Sequence, residues 1–424
     1  MENYTYRLIS FCGFIILLGI AWITGTRNRI KIETILGSIF LAWALGALTF
    51  WSTESRSILE WINDVLIVLL NASHKGALFI FGPLALGPGQ TLADGTPSVG
   101  FVLAFQVFPS VIFFSAMLGG LYNLGIMQKV VKLFSKTFNR ILFLSGAESL
   151  AAAANLFVGI ESGLTVRPYL AKMTRSELLT LMTCMMATVA STDMGIYVIA
   201  LQKTFPNIAG HLVSASLISI PCSILTSKLF YPELEKPETF GKLKKDEIEP
   251  SHKGLISALV EGGYQGVKID IGIATVLIIV LGLEALLDLI LGKLPEFQGQ
   301  PLSALRLLGW LTYPFTVLLG LRPEEWGMAS QILGSRFIET EVSAYFSLAA
   351  LQTTDNAFTM RSLTIMTYGL CGFVHIASMG IFVGGLSALV PSRANEISIV
   401  GLQALWTSFL ATLLTGCIAG SLVI

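Results

Sequence analysis

Two glutamates, Glu161 and Glu341, stand in stretches that are otherwise apolar enough to enter a bilayer. A carboxylate at that depth is costly, and it marks a ligand site, a proton relay or a transport path. The plainer alternative is a charge paired with a neighbour to pin the backbone, with Arg336 the candidate partner of Glu341. Near the first glutamate lie the amide Asn155 and a further acid, Glu148, which reads as structural. Ser191, Thr192 and Asp193 set hydroxyls and another carboxylate in the middle of a second apolar run. His375 is also set in mid-run, with Ser378 one helical turn later on the same side. Such a histidine is either a satisfied core residue or a ligand, and both readings stand.

Broken segments position these residues. The stretch 145–169, SGAESLAAAANLFVGIESGLTVRPY, is interrupted at Gly159 and at Ser162 and Gly163, and leaves through Arg167 and Pro168. Non-helical backbone at membrane depth survives only where protein or a water-filled cavity satisfies its polar groups. The break therefore predicts a hairpin that enters and leaves on one side, its tip aimed at a binding site. Residues 301–351 repeat the pattern, with Pro314, Pro323, Arg336, Glu339 and Glu341 interrupting the apolar run. A crossing segment follows each hairpin, 178–201 after the first and 363–389 after the second, the latter broken by Gly372, His375, Gly380, Gly384 and Gly385. Two hairpins entering from opposite faces imply an inverted repeat with its site at the bilayer midplane.

Composition agrees with a membrane protein. Of the 424 residues 54% are hydrophobic and only 13% charged, about half the charged share of soluble chains; mean hydropathy is +0.73. The net charge of zero gives no sign of a nucleic-acid partner. Five cysteines lie in apolar runs without metal-ligand spacing. The first apolar run, from Leu8, has no basic region before it and reads as a first crossing helix rather than a leader. Residues 8–24 and 34–51 form two spans joined by Arg27, Arg29 and Lys31, which places that turn inside and both termini outside. Residues 55–70 read as an interfacial amphipathic helix, 82–100 as a loop, and 101–124, 212–229, 270–291 and 402–424 as further spans. The fold class is thus an all-α polytopic membrane protein of the plasma (inner) membrane, with about eight transmembrane helices plus two re-entrant hairpins in an inverted repeat. Its parts are scaffold helices in 1–125, the first hairpin and transport helices in 126–230, a cytoplasmic linker and amphipathic helix in 231–267, a scaffold helix in 268–294, and the second hairpin, broken helix and last span in 295–424.

From Phe101 onward the chain resembles the concentrative nucleoside transporter family. Glu148–Ser149, Asn155 through Val158, Arg167 through Leu170, and Met173–Thr174 with Ser176–Glu177 match its first hairpin and the helix start beyond it. Thr340-Glu341-Val342-Ser343-Ala344-Tyr345 matches its second hairpin, and Cys371 through Ile381 with Gly384-Gly385-Leu386 its late broken helix. The family's Gln-Thr-Glu before Ala-Pro-Leu is here Ile160–Glu161, one residue shorter. Its asparagine before the second glutamate is Thr340, its asparagine in the late helix is His375, and Asp193 stands where an apolar residue is usual.

The resemblance implies a secondary active symporter, homotrimeric, that imports a nucleoside or analogue with a sodium or proton gradient. No other cofactor is expected. It places the substrate at Ile160, Glu161, Thr340, Glu341, Phe373, His375 and Ser378, the carboxylate of Glu341 accepting ribose hydroxyls. Phe373 either stacks on the base or packs. Sodium would lie at Asn155, Val158, Thr192 and Asp193, where an amide, a hydroxyl and freed carbonyls supply hard oxygens. Asp193 itself strengthens that cage, carries a proton in its place, or bonds a neighbouring helix. The alternative function is a nucleoside-binding sensor or facilitator without ion coupling. An enzyme is not expected, since no nucleophile, metal cluster or phosphate loop is legible.

Overall fold

The computed structural model describes all residues but 1, 88–89, 93, 158, 160–161, 241–253, 298 and 424; for 2–3, 53, 55–56, 164 and 191–192 it describes the backbone alone. The helices follow one another as α1 (Glu2–Thr24), α2 (Ile32–Trp51), α3 (Thr53–Phe81), α4 (Phe108–Asn123), α5 (Ile126–Leu142), α6 (Gly146–Ala154), α7 (Arg175–Ala187), α8 (Ser191–Leu201), α9 (Ile208–Phe230), α10 (Leu255–Leu291), α11 (Ala304–Leu318), α12 (Trp326–Ile338), α13 (Glu341–Leu351), α14 (Met360–Leu370), α15 (Ile376–Leu389) and α16 (Ala394–Leu422). Short helical turns lie between them. Among the described residues, seven helices are long and apolar enough to cross a membrane, which makes the chain an integral membrane protein.

The same order of elements occurs twice. An amphipathic or bent helix (α5, α11) precedes a helix that breaks near polar residues (α6 at Asn155, α12 at Glu339–Thr340). A crossing helix in two halves follows (α7–α8, α14–α15), then a long helix, α9 or α16. Both crossing segments are interrupted: α7 and α8 part at Thr188–Ala190, and α14 and α15 at Cys371–His375, whereas Gly380, Gly384 and Gly385, expected to break the second segment as well, lie inside continuous α15. Most of α9 and α16 is buried, and both belong to the main apolar core. By contrast α10 leaves almost its whole surface outside that core.

Three boundaries differ from the sequence reading. The stretch 55–70 is the first part of α3, which continues to Phe81 and, with the short turn after it, is of spanning length from Ser57 to Ala85. Residues 304–318 form α11, a separate helix; the turn at Gly320, with φ +73°, precedes the second hairpin's arms. The third boundary is at 267/268, which falls inside α10, one continuous helix of 37 residues. It would run about 55 Å, well beyond a hydrocarbon core of about 30 Å. Gly262 and Gly266 resemble a break but serve a close crossing. A Cβ on Gly262 would sit 2.5 Å from the Ser115 carbonyl oxygen, and one on Gly266 2.7 Å from the Ile112 Cα. Only hydrogen fits where α10 meets α4, as in close-packed membrane helix pairs.

The bases of the first repeat are tied by charge. Ser145 and Glu148 form a reciprocal cap at the start of α6, as do Thr174 and Glu177 at α7. The Ser145 hydroxyl donates to Glu177 at 2.5 Å and joins the two caps. Buried Lys228 of α9 pairs with Glu148, donates to Ser176 Oγ at 2.9 Å, and lies 3.9 Å from Glu233. The structural reading of Glu148 therefore holds.

Candidate functional site

The break between α12 and α13 ends with Thr340, whose hydroxyl accepts the Ser343 backbone N–H at 3.4 Å and starts α13. Glu341 is the next residue and is 4% exposed, so its carboxylate needs partners supplied by the fold. Tyr197 of α8 donates its hydroxyl to Oε1 at 3.0 Å. His375, at the break between α14 and α15, brings Nε2 to 2.7 Å from Oε2. Its Nδ1 accepts the Ser378 backbone N–H at 3.1 Å, so Nδ1 carries no hydrogen and the ring proton sits on Nε2. That proton lies between Glu341 and the Ser378 hydroxyl, which is 2.8 Å from Nε2. The Tyr197 ring stacks on Tyr345 with centroids 4.4 Å apart, and Tyr345 donates to the Thr367 carbonyl at 2.7 Å. Three breaks or helices thus converge on one carboxylate.

Arg336 is not the partner of that carboxylate. It is fully buried and donates to the carbonyls of Gly369 at 2.5 Å and Gly372 at 3.4 Å, and to the Thr412 hydroxyl at 3.3 Å. Gly369 lies in the last turn of α14, whose carbonyls have no intrahelical donor, and Gly372 in the break beyond it. The guanidinium fork therefore stabilises the break itself.

A cavity of about 410 Å³ opens beside this network, within the range of small-molecule sites. Asp193, Thr340, Glu341, Phe373, His375 and Ser378 all line it. The structure thus gathers every described substrate candidate, with Asp193, around one space. Phe373 packs edge to face with Phe382, centroids 6.2 Å apart, while both rings reach the cavity wall. The facing wall is α10, apolar at Ile269, Ile273 and Val276, with Gln265 and Lys268 at one end. Ile160, Glu161 and Val158 lie outside the described residues; Gly159 between them lines the cavity.

Asn155 ends α6 and is fully buried, and among the described residues neither atom of its amide has a hydrogen-bond partner. Its carbonyl accepts the Thr188 hydroxyl at 3.3 Å, which joins the first hairpin to the break before α8. Thr192 and Asp193 lie in the first turn of α8, Asp193 buried; the Thr192 side chain is outside what is described. A buried amide oxygen left open next to the unwound backbone at Thr188 is a hard-oxygen donor of the kind a monovalent cation takes.

One member of this network, and one buried acid that does not line the cavity, escaped the sequence reading. Tyr197 sits in an apolar helix, and its hydroxyl was its sole signal. Asp270 of α10 is 4% exposed, and among the described residues neither carboxylate oxygen has a hydrogen-bond partner.

Known proteins resemble this chain along most of its length. Residues 12–84 and 211–420 match the families described as "Na+ dependent nucleoside transporter N-terminus" and "C-terminus", and residues 104–204 match "Nucleoside recognition". An "Uncharacterized transporter" of Haemophilus influenzae is 31% identical over 420 residues, 97% of either chain. "Sodium/nucleoside cotransporter 1" of Rattus norvegicus is 30% identical over 99% of this chain and 64% of its own length. A solved structure described as CNTnw in an inward-facing substrate-bound state superposes with a TM-score of 0.89 at 30% identity, covering 98% of this chain and 99% of that one. A variant of the same protein in an outward-facing state gives 0.86.

Proposed function

The chain belongs to the concentrative nucleoside transporter family, and on that premise we propose that it is a secondary active symporter importing nucleosides by alternating access. The observation that carries this reading is Glu341, a buried carboxylate at a helix break, facing a cavity beside His375, Ser378 and Phe373. A carboxylate with partners on one side can still accept hydroxyls from the cavity side, and a ribose presents adjacent hydroxyls. Tyr197 and His375 hold the group in place, so little side-chain freedom is lost when the sugar arrives. Phe373 supplies a flat apolar face toward the base.

The coupling ion in this reading is sodium. Asn155, Thr192 and Asp193, with the backbone at Val158, would hold it, and Glu161 would complete the substrate site from the first hairpin. The ion supplies positive charge that binds together with the solute and ties uptake to its gradient. The broken helices α7–α8 and α14–α15 with their hairpins form the part that moves against α10 and α1–α4. The apolar outer face of α10 suits subunit contact in a homotrimer; the termini lie outside the inner membrane.

The test is uptake of labelled uridine into sealed liposomes with a sodium or a proton gradient imposed alone. Accumulation above equilibrium with sodium supports the reading. Accumulation with protons alone replaces the ion, and mere equilibration replaces symport by facilitation.

A further inference from the structure

Behind the cavity wall, a buried acid faces the seam between α10 and α4. Asp270 is 4% exposed, and among the described residues neither of its carboxylate oxygens has a hydrogen-bond partner and no ion pair includes it. Ser115 of α4 is 6% exposed, and its hydroxyl is likewise without a partner among the described residues. A buried carboxylate is strongly unfavourable unless a positive charge and polar groups compensate it.

Close contacts fix the register of the seam. A Cβ on Gly119 would sit 2.7 Å from the Ala258 carbonyl oxygen, one on Gly262 2.5 Å from that of Ser115, and one on Gly266 2.7 Å from the Ile112 Cα. Positions rise along α10 as they fall along α4, so the two helices are antiparallel. Ala258, Gly262, Gly266 and Asp270 are the buried residues of α10 and follow one another at four-residue intervals on one face. The register therefore sets Asp270 opposite Phe108 and Pro109. Helical side chains lie back over the turn toward their own N-terminus. Asp270 thus leans toward Gly266 from one end of the seam and Ser115 from the other, its Oγ 3.1 Å from the place of a Gly266 Cβ. Glycine at 266 is what lets the two polar groups approach. Pro109 adds an oxygen at this level: it has no N–H, so the Phe105 carbonyl lacks its helical donor.

No fixed cation answers these oxygens. Helix α4 has no charged residue. Lys268 is exposed and lines the cavity, on another side of α10 from the buried face. Helix α11 meets α10 further along, where the Ala304 backbone N–H donates to Asp288 Oδ1 at 2.7 Å, and its Arg306 donates to the carbonyls of Phe297, Gln300 and Pro301. Among the described residues no three His, Cys, Asp or Glu gather as a divalent or transition metal would need. One carboxylate with a hydroxyl and a carbonyl suits a hard monovalent cation instead.

We propose that Asp270 and Ser115 form a sodium-binding site in the seam between α10 and α4, separate from the ion proposed at Asn155. Both helices belong to the part that stays fixed in the proposed cycle, so this ion ties the frame together and is not carried with the solute. The site depends on nothing assumed about the nucleoside.

Equilibrium dialysis of the purified full chain against radioactive sodium, without nucleoside and with choline holding the ionic strength constant, counts the bound ions. Asp270→Asn should lose one sodium per chain relative to the parent, and Ser115→Ala should weaken the same site. The melting temperature of the parent should rise with sodium, and Asn155→Ala should keep a part of that rise that is lost when Asp270→Asn is added. Sodium binding in Asp270→Asn equal to that of the parent would overturn the proposal. If Asp270→Asn fails to fold, Ser115→Ala decides, and a sodium affinity equal to the parent's overturns it. Failure of the ion proposed at Asn155 shows differently, as Asn155→Ala binding as much sodium as the parent, and leaves the loss in Asp270→Asn standing.

Discussion

His375 Nδ1 accepts the Ser378 backbone N–H at 3.1 Å while Nε2 lies 2.7 Å from Glu341 Oε2, so one imidazole both caps α15 and holds the hairpin carboxylate. The cap fixes which nitrogen carries the proton, and the proton fixes which side of the carboxylate is occupied. A change in the angle of α15 is therefore felt at Glu341, and a solute on Glu341 is felt at the start of α15.

Glu341→Gln keeps the size of the side chain and removes its charge. Hydrogen bonds to charged groups contribute roughly 1.5–3 kcal/mol, so nucleoside affinity should fall about ten- to a hundredfold. Titration calorimetry with uridine on the purified variant reads this, with its thermal melting as a control for folding. An unchanged affinity would remove Glu341 from the site.

Arg336→Met should lower the stability of the broken helix without touching a ligand contact. It leaves the carbonyls of Gly369 and Gly372 without their donor, at a cost of about 1–3 kcal/mol for each buried group. Arg336→Lys should recover only part, because an ammonium cannot serve both carbonyls as a planar fork does. Melting temperatures in detergent order the three proteins. Equal stability of all three would mean that water serves the break.

Those two residues also show what a sequence conveys. Breaks were legible because Gly, Pro and polar residues interrupt apolar runs, and Thr340, Glu341, His375 and Ser378 could be placed at them. The partners were not legible. Arg336 stands five residues from Glu341, yet its carbonyl partners are 33 and 36 residues away. Tyr197 looks like core until the fold brings it 144 residues across to Glu341. The continuity of α10 was not legible either, because close packing of Gly262 and Gly266 against α4 leaves no local signal in the sequence. At the first hairpin, Ile160 and Glu161 remain expectations of sequence alone.

Lys228→Met should be among the most destabilising changes in the chain. It strips the buried Glu148 of its ion-pair partner, and breaking such a pair costs about 3–5 kcal/mol. The double change Lys228→Met with Glu148→Gln should regain part of the loss, which denaturation of the single and double variants would show. Lys172→Met breaks an exposed pair with Glu238 and should change stability little.

Asn155→Ala and Asp193→Asn should weaken the sodium dependence of nucleoside binding more than binding at saturating sodium. Asn155 has an open amide at full burial, and Asp193 is a buried carboxylate in the first turn of α8. Binding measured across a sodium series, at constant ionic strength, separates the two effects. Sodium dependence equal to the parent in both variants would place the ion elsewhere.

The last expectation concerns selectivity. A site that hydrogen-bonds a polar edge rejects a mismatched ligand strongly, because its own groups stay unpaired; an apolar wall rejects weakly. Here the wall facing the hairpin carboxylate is Ile269, Ile273 and Val276, Phe373 offers a flat face, and the first hairpin carries Ile160. Of the polar groups that line the cavity, Glu341, His375 and Ser378 form one cluster suited to sugar hydroxyls, with Asp193, Thr340, Gln265 and Lys268 the others. Ribose recognition should therefore be strict and base recognition loose. Competition against one labelled nucleoside should rank ribonucleosides with different bases within about tenfold of one another, while deoxyribose analogues and free bases compete poorly. His375→Asn, which keeps a capping side chain on α15 but loses the imidazole reach to Glu341, should narrow the ribose-to-deoxyribose ratio. Sharp preference for a single base, or indifference to the ribose hydroxyls, would show that the base edge is read by groups other than these.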